Sequence, residues 1–207
     1  MRGSFTLVVS SAVLALTLGA APDSKALIVI LIGAPGSGKN TQSAYLQKEY
    51  GIPVISADEL VKANPEAVQS IQTFGIAPID PRQDLIMNQL VQAKLNSIDA
   101  SKGFILDGYP ATKGQADFLA NLGQQVAHPP TLVLQLDVPD SVARKRLAKS
   151  TNPDDREPLL SQAIADYHRE MDFIKYYYPN VNIKQVNANQ KPDKVAQAIK
   201  AIVDASR

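Results

Sequence analysis

The strongest chemical signal in this chain is a lysine at the end of a glycine-rich turn. Gly33-Ala34-Pro35-Gly36-Ser37-Gly38-Lys39-Asn40-Thr41 follows an apolar run and opens an amphipathic one. Glycines let the backbone curl around a phosphate, successive N–H groups point inward at a helix start, and Lys39 brings a compact positive charge to the terminal phosphates. The general form of this loop places Ser or Thr directly after the lysine as a magnesium ligand. Here Asn40 stands there and Thr41 comes one position later, so Asn40 either adds a carboxamide ligand or crowds the site.

Two further residues could serve the same chemistry. Asp107 closes the run Gly103-Phe104-Ile105-Leu106-Asp107, where a carboxylate suits a magnesium–phosphate complex and the alternative is a simple helix cap. Arg146, beside Arg144 and Lys145, is either an anion-directed guanidinium or a solvated surface charge. His128 precedes a proline pair at a strand entrance and His168 sits on a long helix without a second ligand, so neither reads as chemical. Tyr176-Tyr177-Tyr178 before Pro179 reads as aromatic packing.

A phosphate loop works only if a rigid sheet holds it, and the rest of the chain supplies one. Short β-branched runs alternate with longer amphipathic stretches, the pattern of a parallel sheet covered by helices on both faces. The expected strands are Leu27 to Ile32, Pro53 to Ser56, Gly103 to Asp107, Thr131 to Asp137 and Val181 to Asn187. The clearest expected helices are Gly38 to Glu49, Pro81 to Ser97, Lys113 to Asn121, Asp140 to Lys149, Pro158 to Tyr178 and Pro192 to Ala205. Prolines near several starts suit a first helical turn. No repeat or linker divides the chain after Ala26, so residues 27–207 read as one α/β domain.

With no cysteine among 207 residues, disulfides, thiolate metal sites, cysteine catalysis and a lipid-modified cysteine are excluded. The formal charge is only +1 and no basic patch interleaved with aromatics is present, so small molecules are the expected partners rather than nucleic acid. The uncharged apolar run from Phe5 to Leu18, after Arg2, is too short for a comfortable membrane span. Small residues at Gly19, Ala20, Ala21, Ser24 and Ala26 suggest a cleaved secretory signal over residues 1–26, hence a periplasmic or secreted domain. An uncleaved anchor and a mis-assigned start are the alternatives, the last implying a cytoplasmic protein. Cleavage after Ala26 removes Arg2, Asp23 and Lys25 and leaves a formally neutral domain.

Along the whole length after the leader, the chain resembles the adenylate kinases and other nucleoside monophosphate kinases. Gly33 to Thr41 with Gln42 is similar to the family's loop, with Asn40 in place of a glycine. Ile52-Pro53-Val54-Ile55-Ser56-Ala57-Asp58-Glu59-Leu60 resembles the segment leading into its monophosphate site, and Gly103 to Pro110 its central signature, with Gln115 following at the expected offset. Leu136 to Asp140, Arg146-Leu147 and Asp154-Asp155 resemble the segments flanking its lid. The resemblance implies a P-loop three-layer α/β/α fold with a five-stranded parallel sheet, a short lid and a helical monophosphate-binding insertion. It further implies a monomeric phosphotransferase that moves the γ-phosphate of ATP, with Mg2+, onto a nucleoside monophosphate, most simply AMP. Lys39, Asp107, Arg146 and Arg156 would be catalytic, Asp107 and Thr41 would serve magnesium through water, and Arg146 would pack on the adenine of ATP. Ser56, Lys62, Gly108, Tyr109 and Gln115 would meet the acceptor, with Gln115 reading its adenine. A zinc-bearing lid is excluded by the absence of cysteine.

Several arginines of the family's pattern are replaced. Lys62 stands for one, Ala111 for another, and Ser150, Asn152 and Ala163 for those around the lid. Phosphoryl transfer relies on positioning and positive charge, and one preorganised donor is worth about 3–4 kcal/mol. Four neutral replacements do not simply add. Half their naive sum, about 6–8 kcal/mol, is still a large share of the roughly 8–23 kcal/mol by which enzymes lower barriers. Arg156, Lys149, Lys113 and Arg82 are the candidates to compensate, whereas Arg169, six residues after Ala163, lies about 240° around its helix. A nucleotide-binding protein with weakened catalysis and a small P-loop kinase with a non-nucleotide acceptor are therefore the alternative readings.

Overall fold

The computed structural model describes residues 26–66, 81–126, 132–149, 157–177 and 183–206. The apolar leader, Arg156, Ser150, Asn152, Asp154, Asp155, His128, Tyr178 and the side chains of Arg82, Tyr176 and Tyr177 lie outside the described residues.

The sheet forms around its most apolar segment. All seven residues of β1 (Leu27–Gly33) are buried, which only a strand covered on both faces tolerates. The other strands are β2 (Val54–Ser56), β3 (Gly103–Asp107), β4 (Leu132–Asp137) and β5 (Ile183–Asn187). They pair in parallel in the order β2-β3-β1-β4-β5. Among the described residues seven helices surround them: α1 (Lys39–Tyr50), α2 (Ala57–Ala63), α3 (Pro81–Asn96), α4 (Lys113–Val126), α5 (Asp140–Ala148), α6 (Glu157–Tyr177) and α7 (Pro192–Asp204).

Alternation along the strands divides the core in two. Leu27, Val29 and Leu31 join Leu132 and Leu134 in one cluster, which Leu46 of α1 and Val195, Ile199 and Val203 of α7 cover. Ile30 and Ile32 join Val133 in the other, under Val91 of α3, Ala116 and Leu119 of α4 and Met171 of α6. The result is the expected three-layer α/β/α fold.

Two expectations are corrected. The helix read as Lys113 to Asn121 runs on to Val126, through Gly123, because a glycine that looks like a helix stop costs only about 1 kcal/mol inside one. The segment after Ser56, read only for its likeness to a binding segment, forms α2. No helix among the described residues is long and apolar enough to cross a membrane.

Register places the site. Leu31 pairs with Asp107, Asp107 with Ser56, and Gly33 with Leu136, so the carboxyl ends of β1, β2, β3 and β4 share one edge. The connections leaving β1 and β4 run to opposite sides of the sheet, so that edge carries the crevice in which open parallel sheets bind ligands.

Candidate active site

The loop from β1 to α1 is shaped by glycines with different jobs. Gly36 (φ +78°) lies against α5, where an added Cβ would come 2.6 Å from the Ala143 carbonyl oxygen. Gly38 (φ +97°) caps α1, and an added Cβ there would meet nothing within 4 Å. The first glycine permits close packing, and the second faces open space at the start of the helix. Ser37 is 3% exposed, and its hydroxyl has no hydrogen-bond partner among the described residues. An unsatisfied hydroxyl at a helix N-terminus fits a phosphate oxygen.

Lys39 folds back into this loop and donates from Nζ to Gly33 O at 2.7 Å and Ala34 O at 3.3 Å. Burial lowers its pKa, while the charges of Asp107 and Asp58 oppose that shift. A cation held by two carbonyls can exchange them for a phosphate with little rearrangement. Asn40 and Thr41, by contrast, are exposed on the first turn of α1.

Asp107 ends β3, 3% exposed, and accepts a 2.6 Å hydrogen bond from Ser43 Oγ. Burial raises its pKa, Ser43 and Lys39 oppose the rise, and Asp58 and Glu59 add to it. Sequence reasoning does not single out Ser43. The signal that could find it is its position four residues after Lys39, which puts both on one helix face.

Among the described residues no three His, Cys, Asp or Glu side chains are placed to hold a metal. Magnesium does not require such a cage, since it commonly uses one or two carboxylates with substrate phosphates and water. The hard oxygen of Asp107 beside an anion cradle fits that ion.

Arg146 is not a solvated charge. It donates to Gly36 O at 3.3 Å and Ser37 O at 3.4 Å from one nitrogen, and to Ala188 O at 2.9 Å from another. The guanidinium thus ties the phosphate loop to the turn after β5. Beside it a cleft of about 250 Å³ is lined by Thr41, Gln42, Arg146, Ala188 and Pro192. Gln42 Nε2 donates to Pro192 O at 3.2 Å, a contact across 150 residues that local patterns do not reveal.

Among the residues expected to meet an acceptor, Ser56 is buried and caps α2, accepting from Glu59 N at 3.4 Å. Lys62 is exposed on the last turn of that helix. Gly108 (φ +74°) brings the loop close to Ala57 and to Lys39, with an added Cβ at 3.6 and 3.9 Å from them. Tyr109 is 0% exposed, and its hydroxyl donates to Asn88 Oδ1 at 2.7 Å, so it braces the loop from within. Gln115, expected to read the acceptor base, is 8% exposed. It accepts from Ala111 N at 2.8 Å and donates to Asp84 at 3.1 Å.

Of the four candidates for compensating charge, only the side chains of Lys113 and Lys149 are among those described. Lys113 pairs with Asp117 at 2.8 Å and Arg169 with Asp166 at 2.6 Å. Arg144 reaches Ser161, and Lys149 is exposed at the end of α5. Ala163 is half-buried on α6, and His168 contacts Asp140 at 3.0 Å on the surface.

A model of the adenylate kinase family matches residues 31–183. The chain is 33% identical over 172 residues to adenylate kinase of Mycobacteroides abscessus, covering 81% of this chain and 93% of that one. It is 31% identical over 183 residues to adenylate kinase of Nocardia farcinica, covering 84% and 98%. With the adenylate kinase of Methanosarcina mazei it shares 38% identity over 143 residues, 68% of this chain and 63% of the relative. A match through the phosphate loop, the β3 carboxylate and the helices between them, on a sheet of this order, identifies the chain as a member of the adenylate kinase family.

Proposed function

We propose that this chain transfers the γ-phosphoryl group of ATP to AMP as a nucleoside monophosphate kinase. The observation that carries the reading is the placement of Lys39 Nζ within 2.7 Å of Gly33 O inside a loop that also holds the Ser37 hydroxyl, unpartnered among the described residues, with buried Asp107 close by. Backbone N–H groups and Ser37 bind the donor phosphates. Lys39 leaves its carbonyl partners to stabilise charge on the group in transit. The cleft beside Arg146 and Pro192 takes the donor base. Ser43 orients Asp107, whose carboxylate and the Thr41 hydroxyl would face the magnesium hydration shell. Magnesium, when bound, neutralises charge on the phosphate oxygens. Gln115 and Lys62 serve the acceptor.

The absence of arginine at positions 62 and 111 favours a second reading, in which the chain binds ATP but works slowly on AMP or prefers another acceptor. A coupled assay of ADP release from magnesium-ATP, with and without AMP and beside Lys39→Ala, separates them. AMP-dependent, lysine-dependent release supports the first reading. Lysine-dependent ATP binding without AMP-dependent release supports the second.

A further inference from the structure

A buried carboxylate behind the acceptor loop has no role in the transfer chemistry itself. Asp84, in the first turn of α3, is 8% exposed. Its Oδ1 accepts from Thr112 Oγ1 at 2.6 Å and from Gln115 Nε2 at 3.1 Å. Thr112 Oγ1 in turn accepts from Gln115 N at 3.2 Å, capping α4. At Gly114 any Cβ would collide with Asp84 Oδ2, so the start of α4 is fitted to the carboxylate. A helix N-terminus also favours the negative charge placed against it.

The two partners of the Gln115 carboxamide fix which way round it lies. A carboxylate only accepts, so it takes the amide nitrogen; a backbone N–H only donates, so Ala111 N takes the amide oxygen at 2.8 Å. An unconstrained carboxamide can rotate by half a turn and exchange donor for acceptor. Held this way, Gln115 keeps one N–H and one oxygen lone pair for a further partner, in one fixed order. Asn88, one turn after Asp84, holds the Tyr109 hydroxyl at 2.7 Å and ties the same loop to α3 a second time.

We propose that Asp84 is a positioning residue for the acceptor, fixing the polarity of the Gln115 carboxamide so that the site distinguishes a 6-amino purine from a 6-oxo purine. Adenine presents an acceptor at N1 and a donor on its 6-amino group, and hypoxanthine presents the reverse. A carboxamide of fixed polarity matches only one of them, whereas one free to rotate matches both. The inference rests on the nucleoside monophosphate kinase reading.

The test compares AMP and IMP as acceptors for the full-length protein and for Asp84→Ala, Asp84→Asn and Gly114→Ala. In Asp84→Ala and Gly114→Ala the ratio of kcat/KM for AMP over IMP falls by about tenfold or more, with KM for ATP within about twofold. The shorter carboxamide introduced by Asp84→Asn can present one oxygen to both Thr112 and Gln115, so that variant keeps the ratio within about threefold. An unchanged ratio in Asp84→Ala or Gly114→Ala overturns the proposal, as does an equal loss with both acceptors.

A second readout needs no turnover. The side-chain amide protons of Gln115, assigned by their loss in Gln115→Leu, give two separated, exchange-protected NMR signals in the native protein. They move to the positions of a free carboxamide in Asp84→Ala. If they stay in place, Asp84 does not orient Gln115. A native protein inactive on both monophosphates removes the kinase reading, while the amide signals still decide whether Asp84 positions Gln115.

Discussion

The side of the crevice proposed to take the phosphate donor and the side proposed to take the acceptor hold polar groups in different ways. On the donor side the groups are partly unspent: Ser37 Oγ has no partner among the described residues, Lys39 rests on two carbonyls, and Gly38 faces open space. On the acceptor side they are largely committed to one another, with Asp84, Thr112, Gln115 and Ala111 in one network and Tyr109 in the core. Lys62, the basic residue that sequence assigns to that side, is exposed. One side is prepared for an anion, whereas the other is prepared for shape and hydrogen-bond polarity. On the proposed function, an acceptor site of that kind would recognise a base better than it grips a phosphate.

The sharpest way to break this contrast is Lys39→Ala, which removes the cation held on the carbonyls of the phosphate loop. It lowers kcat/KM by about 10³, equivalent to about 4 kcal/mol, and weakens ATP binding. Unchanged turnover would remove the donor assignment.

Next comes repair of the acceptor side. Lys62→Arg with Ala111→Arg adds two guanidinium forks where a monophosphate would bind, and raises kcat/KM for AMP about tenfold with little change in KM for ATP. No gain would mean that other residues already supply the charge.

The two loop glycines separate packing from binding. Each alanine costs about 1–2 kcal/mol for its left-handed backbone. Gly36→Ala adds a collision with the Ala143 carbonyl and shows chiefly as a lower Tm. Gly38→Ala shows chiefly as weaker ATP binding, because its methyl group projects into the open space at the start of α1. Equal effects of the two on Tm and on ATP affinity would contradict this division.

The smallest effect concerns the frame behind the donor side. Tyr50 donates to Asp204 at 2.9 Å, joining α1 to α7. Burial first, then Asp204, pushes the Tyr50 pKa up to about 12. A folded-state pKa above the unfolded value of about 10 means that this stabilisation is full below that pH. It is lost as pH rises through the folded value. Tyr50→Phe therefore costs under about 1 kcal/mol at neutral pH. Its Tm deficit relative to the native protein shrinks across the alkaline window, and a deficit independent of pH would show that the hydroxyl is not the cause.

The donor side was legible because its signals are contiguous. A run of seven buried residues, glycines at fixed spacing, a lysine and the helix they open all lie within about two dozen positions, and each acts through local backbone geometry. Sequence alone also determined the α/β class, the parallel sheet and the carboxylate at the end of β3, since these follow from periodicity and from where strands must end. Tertiary structure decided the rest. Arg146 could be solvated or bound until folding brought Gly36 and Ala188 to it. Nothing near Gln115 in the chain marks its partner, because Asp84, 31 residues earlier, meets it only through the packing of two helices. Ser43 and Asp107 stand 64 residues apart. Hydrogen-bond partners of that separation leave no periodic mark on a chain, because they are selected by the packing of whole elements.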